Sequence, residues 1–358
     1  MTVLTMGSTI VLPPLQKEFA GTALGRLRSL WFVHVILACT IPFTGSISPN
    51  LLRALTHLFG MDVNRRRFYA FMGSGKLPWN RLWSALCNMI PEPETDGRLV
   101  LALDDFINPT VGKKVFGASH IFDHAATKYP WAQCVTSIGL VKRIKGRWAC
   151  IPLAHRFYLP NTELAAQREN MKVRGKTPDF RTKLEQSVSM IAMLTAHFSG
   201  MSIRTVCDSW FGNKGLFAPD RKLMGEHFHL LSRLRANIVL YAMPQQREAG
   251  LLGRNQKYGE RLGSAAEVAA MRKGEAASLY VFLYGKQREV VASSIVVMLT
   301  TLRCPVRVVF VYRRSQWVAL FTTDLSLSIE QMIECYGARW KIESGFKKIK
   351  QDPVTHIF

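Results

Sequence analysis

Acidic residues are scarce in this chain. Its 358 residues hold 25 Asp and Glu against 47 Lys and Arg, a net charge of +22. A field of that sign gathers polyanions, with an affinity that falls as salt rises. Nucleic acid is the commonest such partner, and an anionic membrane surface is the competing one. Cysteine is sparse too: the seven thiols, at 39, 87, 134, 150, 207, 304 and 335, are odd in number and never spaced as CxxC. That argues against a disulfide framework or a zinc ribbon and fits a reducing cytosol. Long apolar runs are missing. The stretch Leu30–Phe43 contains His34 and is broken by Pro42, short of the roughly 18 apolar residues of a membrane span, so a buried helix is expected there. The N-terminus lacks the basic start of a signal peptide, and there is no internal repeat or low-complexity tract. A soluble cytoplasmic protein with no membrane partner is the expectation. With 48% hydrophobic residues, a substantial core can form.

The pattern changes along the chain. Residues 1–90 carry helix-like apolar spacing at Leu30–Thr40, Pro49–Phe59 and Trp79–Ile90, with a basic stretch, Asn64-Arg65-Arg66-Arg67-Phe68-Tyr69, between the last two. Three arginines beside two aromatics suit either a solvated helix end or a DNA-contacting element. Pro91–Gly97 is turn-rich and marks a domain boundary. Beyond it, Arg98–Leu103 reads as a buried strand ending in Asp104-Asp105, and Ser202–Asp208 as another strand with an acidic end. Ala132–Arg143 and Arg147–Tyr158 form a predicted hairpin, Phe180–Phe198 a helix, and Ala236–Met243 a third apolar run. Strand-like runs follow at Ser278–Tyr284, Val290–Leu299, Val306–Tyr312 and Trp317–Thr322, and Ser328-Ile-Glu-Gln331 opens a last helix as a capping box. The implied architecture is an α/β core with an insertion before its last helix.

That last helix carries a conflict. Tyr336, Arg339, Glu343 and Lys350 are separated by two, three and six residues, which on a helix places all four within an arc of roughly 60°. Met332 shares the arc, with Phe346, Ile329, Ile333 and Trp340 beside it. Charges on a face that amphipathic logic would bury are costly unless they meet a partner charge, a metal or a phosphate. Asp104, Asp105 and Asp208 stand at strand ends, where an Asp commonly forms a turn or caps a helix. Converging carboxylates, in contrast, form a hard-oxygen site for Mg²⁺ or Mn²⁺. Other clusters are weaker. His120 and His124 lack an evident third ligand, as do His227 and His229. Lys113-Lys114 could lie by a phosphate, and Gly73-Ser-Gly-Lys76 lacks the spacing of a nucleotide-binding loop.

The Y-(2)-R-(3)-E-(6)-K spacing resembles the signature of the DDE insertion-sequence transposases. Leu101-Ala-Leu-Asp-Asp105 is similar to the family's first-strand motif and Thr205-Val-Cys-Asp208 to its second. Leu320-Phe-Thr-Thr-Asp-Leu-Ser326 and Leu231–Asn237, before a segment containing Lys257–Arg261, are also typical of the group. The resemblance spans roughly residues 20–350 and implies an RNase H-like catalytic core with a β-strand-rich insertion before the last core helix, preceded by a helical N-terminal domain. In residue terms it implies a DNA-end-binding region at 1–90 and a catalytic domain at 97–358, with core 97–220 and 320–352 and insertion 221–319. It also implies that Asp105, Asp208 and Glu343 bind two Mg²⁺ or Mn²⁺ ions. Asp104 is the alternative, because Phe106 stands where the family usually has a small hydroxyl residue. Tyr336, Arg339 and Lys350 would contact DNA, and Arg65, Arg66 and Arg67 are further DNA-binding candidates.

The implied activity is cleavage at terminal inverted repeats followed by attack of the freed 3′-hydroxyl on target DNA, in a synaptic dimer, in a prokaryotic nucleoid. Two other readings stay open at this point: a non-transposing metal nuclease on the same core, and a truncated, catalytically silent DNA-binding relic. The second arises because only Gln351–Phe358 follow Lys350, and Pro353 should stop the helix.

Overall fold

The computed structural model describes residues 7–39, 48–124, 126–245, 256–314 and 316–344. Two compact units divide the chain, one running to Pro93 and the other spanning Glu94–Gly345.

The first unit is helical. Its helices are α1 (Leu12–Lys17), α2 (Ala23–Cys39), α3 (Ser48–Arg53), α4 (Arg65–Met72) and α5 (Trp79–Asn88). Residues 30–39 of the apolar run lie in α2, which buries Trp31, Val33 and Ala38, and the rest of the run lies outside the described residues. No helix among the described residues is long and apolar enough to cross a membrane. α4 starts at Asn64, whose side-chain oxygen accepts a hydrogen bond from the Arg67 amide at 3.2 Å. Phe68 and Phe71 then point into a core with Trp31, Leu51 and Leu55. Arg65, Arg66 and Arg67 form the exposed first turn, with the Arg65 guanidinium 5.8 Å from the Tyr69 ring centre.

A mixed sheet organises the second unit, which is α/β, as the resemblance implies. Its first strands are β1 (Leu99–Pro109), β2 (Ser119–His120), β3 (Trp131–Ile144), β4 (Arg147–Tyr158), β5 (Ile203–Cys207) and β6 (Phe228–Leu234). β3 is antiparallel to both β1 and β4, whereas β1, β5 and β6 run parallel to one another. The two parallel steps carry the crossover helices α7 (Lys183–His197) and α8 (Lys214–Met224), α7 following the short helix α6 (Asn161–Ala165). Leu99–Leu103 and Ile203–Cys207 are buried along their whole length, as strands covered on both faces are. From β6 the sheet continues through β12 (Gln316–Thr322), β11 (Cys304–Arg313) and β10 (Lys286–Leu299) to β7 (Val239–Tyr241) and β8 (Arg261–Ser264), with β9 (Ala277–Leu283) also paired to β10. The short helix α9 (Ala265–Met271) follows β8, and α10 (Ile329–Ala338) follows β12.

Three differences from the sequence expectation have physical causes. β1 does not end at Asp104 and Asp105: β3 pairs with it as far as Pro109↔Ala132 and carries both acids in mid-strand. β6 was not expected, because His229, Ser232 and Arg233 interrupt its apolar pattern; yet Phe228–Leu231 is fully enclosed beside β5. The run Ala236–Met243 supplies only the three-residue β7.

Two polar anchors fix the sheet and its last helix. Asp324, 2% exposed, pairs with Arg98 Nε and with buried Arg204 Nη2, both at 2.8 Å. Burial alone would raise its pKa, but hydrogen bonds from Ser326 and Arg204 hold it well below the usual carboxylate range. The start of β1, β5 and the turn after β12 are thereby tied together. Glu334 of α10 accepts from the Phe282 amide at 2.7 Å and pairs with Arg143. Gly337 lets the helix come close to β9: a Cβ there would stand 2.4 Å from Leu283 Cδ2.

Asp220 on α8 is fully buried, and neither carboxylate oxygen has a hydrogen-bond partner. Burial pushes its pKa up to about 8. A folded-state pKa above the unfolded value stabilises fully at low pH and loses that contribution as pH rises through the folded value. Thermal melts should therefore show Asp220→Asn melting several degrees above wild type at pH 9, with the gap closing near pH 4; a gap independent of pH would contradict this.

Candidate active site

Strand register brings the acids together. β1 and β5 are parallel and pair as Leu99↔Ile203 through Leu103↔Cys207. Asp104 and Asp208 are each the next residue after the last pair. Neighbouring strands lie about 4.8 Å apart, and in-register parallel residues share a face. Past Leu103, β1 therefore loses its neighbour on one side just where its acids begin. Asp208 turns the chain sharply: its Oδ1 accepts from the Trp210 and Phe211 amides at 2.9 and 3.0 Å, and its carbonyl accepts from Ser232 Oγ at 2.7 Å. Gly212 is required in that turn, since a Cβ would stand 2.1 Å from Ser232 Oγ.

The third acid comes from beyond α10. After a turn at Arg339 the chain is helical again over 340–344. Arg339 is 6% exposed, and its Nη1 lies 2.5 Å from Asp104 Oδ2 and 3.0 Å from Glu343 Oε1. One guanidinium thus bridges β1 and the last helical segment. Its field also reaches Asp208 and Tyr336, and its carbon stands 5.7 Å from the Tyr336 ring centre. The Asp104 pKa is raised to about 7, chiefly by burial; Arg339 opposes the rise, and Glu343 and Asp105 add to it. Burial likewise pushes the Tyr336 hydroxyl up.

Asp105 faces the other way. Successive strand residues alternate faces, so Asp104 points toward the Arg339 side and Asp105 toward α7. There its Oδ2 meets Lys183 Nζ at 2.5 Å and Cys134 Sγ at 3.5 Å. The structure therefore joins Asp104, the sequence alternative, to Arg339 and Glu343, and does not bring Asp105 to them. The cause is one step of strand parity.

The remaining sequence candidates lie elsewhere. Lys350 is outside the described residues, and Arg65, Arg66 and Arg67 belong to the helical unit. His120 packs edge-on against Trp131 and His124 against Phe122. His227 bonds Ser202 at 3.0 Å, while burial lowers the pKa of His229. No sequence motif singles out Lys183 or Trp210. Neither belongs to a recognisable spacing; only a lysine at the first position of a helix, where the dipole disfavours a cation, hints that it has a partner.

Among the described residues, no group of three or more His, Cys, Asp or Glu side chains stands ready to hold a metal ion. The charge that now stands between Asp104 and Glu343 is a guanidinium. The donor chemistry still fits a hard divalent cation, since Asp104, Asp208 and Glu343 offer only carboxylate oxygens. Asp104, with a folded pKa above its unfolded value, contributes most to stability at low pH and loses that contribution as pH rises through about 7. Arg339→Gln removes the opposing cation, so its melting temperature should fall further below wild type at pH 8 than at pH 5. Equal deficits at both pH values would contradict the ion pair.

None of the curated proteins matches the chain. A family model described as DDE superfamily endonuclease matches residues 38–280, a stretch that includes β1, β5, Asp104, Asp105 and Asp208. The chain belongs to the DDE superfamily endonuclease family.

Proposed function

We propose that this protein is a DNA transposase of an insertion sequence, which cleaves at terminal inverted repeats and joins the freed 3′ end to target DNA. The observation that carries the reading is the convergence of Asp104, Asp208 and the Arg339–Glu343 pair on one face of the sheet. Asp104, Asp208 and Glu343 would hold two divalent ions, Mg²⁺ or Mn²⁺. Such ions, when bound, supply Lewis acidity for phosphodiester cleavage. The chain's own residues do the rest. Arg339 is a fork-shaped donor suited to phosphate oxygens; a DNA phosphate competes for it and leaves Asp104 and Glu343 free as ligands. Tyr336, half-buried beneath the guanidinium, is placed to stack on a base or donate to a phosphate.

The β-rich insertion then begins after β6, because β6 continues the parallel core, and ends with β12. The net charge of +22 suits duplex DNA as partner, and the exposed Arg65–Arg67 turn with Tyr69 suits a role in binding the element's ends in a nucleoid-associated synaptic dimer. Lys350 is assigned to end contact by its spacing alone.

The test uses the purified protein with Mn²⁺ and duplexes carrying the ends of its own element. Wild type is expected to nick at the end and transfer the strand, and Asp104→Asn and Asp208→Asn to fall to background while still binding DNA. Asp105→Asn should retain measurable cleavage. Loss of cleavage in Asp105→Asn with retention in Asp104→Asn would overturn the assignment, and nicking without joining would reduce the protein to an endonuclease.

A further inference from the structure

The strongest unexplained cluster lies behind the active-site strand. Lys183 is the first residue of α7, fixed there by a capping box between Thr182 and Glu185. A cation at a helix start opposes the helix dipole, so its position needs a compensating partner. Asp105 supplies one at 2.5 Å. The ammonium also stands 5.2 Å from the Tyr158 ring centre and 5.7 Å from that of Trp210. These contacts reach a close neighbour of each of the two acids, Asp105 beside Asp104 on β1 and Trp210 in the turn that Asp208 makes after β5. Asp105 donates its amide to Asp104 Oδ1 at 3.0 Å, and Trp210 donates its amide to Asp208 Oδ1 at 2.9 Å.

We propose that Lys183 is a positioning residue for the reaction, bracing Asp105 and Trp210 so that their amides hold the Asp104 and Asp208 carboxylates in one geometry. The inference rests on the reading of those two acids as metal ligands. Lys183 itself faces away from Arg339 and Glu343 and touches neither of the two acids it aligns. A partly exposed ion pair contributes little stability by itself, whereas a group that orients a metal ligand from behind typically changes metal affinity or activity by about 10–100-fold. Asp105 thereby acquires a role other than ligand: it passes the ammonium's hold to the neighbouring residue of its own strand.

The experiment measures Mn²⁺ binding by electron paramagnetic resonance at pH 8, beside cleavage kinetics and thermal melts, for wild type, Lys183→Met, Lys183→Arg and the double variant Lys183→Met/Asp105→Asn. Lys183→Met is expected to bind Mn²⁺ about 10–100-fold more weakly and to lose kcat while KM for DNA is unchanged. Lys183→Arg should recover most of both, and the double variant should bind no more weakly than Lys183→Met. Should Lys183→Met not fold, Trp210→Leu, which keeps the ion pair, is expected to weaken Mn²⁺ binding several-fold, and unchanged binding in it would overturn the brace. Wild-type affinity in folded Lys183→Met overturns the brace and leaves the metal-site reading standing. A wild-type protein that binds no Mn²⁺ overturns both.

Discussion

The parallel pairing of β1 with β5 is the constraint on which the site depends. It runs from Leu99↔Ile203 to Leu103↔Cys207 and then stops. Five buried pairs fix the register, because a slip by one residue would turn every side chain of β1 to the opposite face. Asp104 and Asp208 follow directly and inherit a shared face from the buried pairs that precede them. The Asp324 pairs with Arg98 and Arg204 hold the opposite end of the same strands. A polar lock at one end and polar function at the other thus bracket an apolar middle. Losing either Asp324 partner would leave the carboxylate buried and undercompensated, a costly change in this setting.

Electrostatics explains why so basic a chain can keep acids together. Burial raises the Asp104 pKa to about 7 even with Arg339 beside it, so its negative charge carries a desolvation cost at the site. Arg339 partly meets that charge and, in the proposed reaction, exchanges it for phosphate. Glu334 and Gly337 seat α10 on β9, which aims Arg339 and the segment carrying Glu343 toward Asp104 in the middle of β1. The strands between β6 and α10 therefore have a mechanical consequence for the site, whatever else they contact.

Much of this was legible in the sequence. The spacing of Tyr336, Arg339 and Glu343 marked a face where charge displaced apolar residues, and the short buried runs before Asp104 and Asp208 marked their strands. Composition and periodicity did not say where β1 ends, because its second half is held by β3 rather than by its own apolar content. They also left Asp104 and Asp105 as alternatives: the two differ by one step of strand parity, which only the partner strands reveal. β6 was hidden by the polar side chains at His229, Ser232 and Arg233. Lys183 could not be found at all from spacing, since its partners Asp105, Tyr158 and Trp210 come from three distant parts of the chain.

The most direct test of the account is a crystal structure of the protein soaked or co-crystallised with Mn²⁺, with the ion located by its anomalous scattering. The account predicts Mn²⁺ on the Asp104 face, ligated by Asp104 and Asp208 with Glu343, with Arg339 displaced from Asp104 and Asp105 still paired to Lys183. Manganese ligated by Asp105, with Asp104 still held by Arg339, would contradict it.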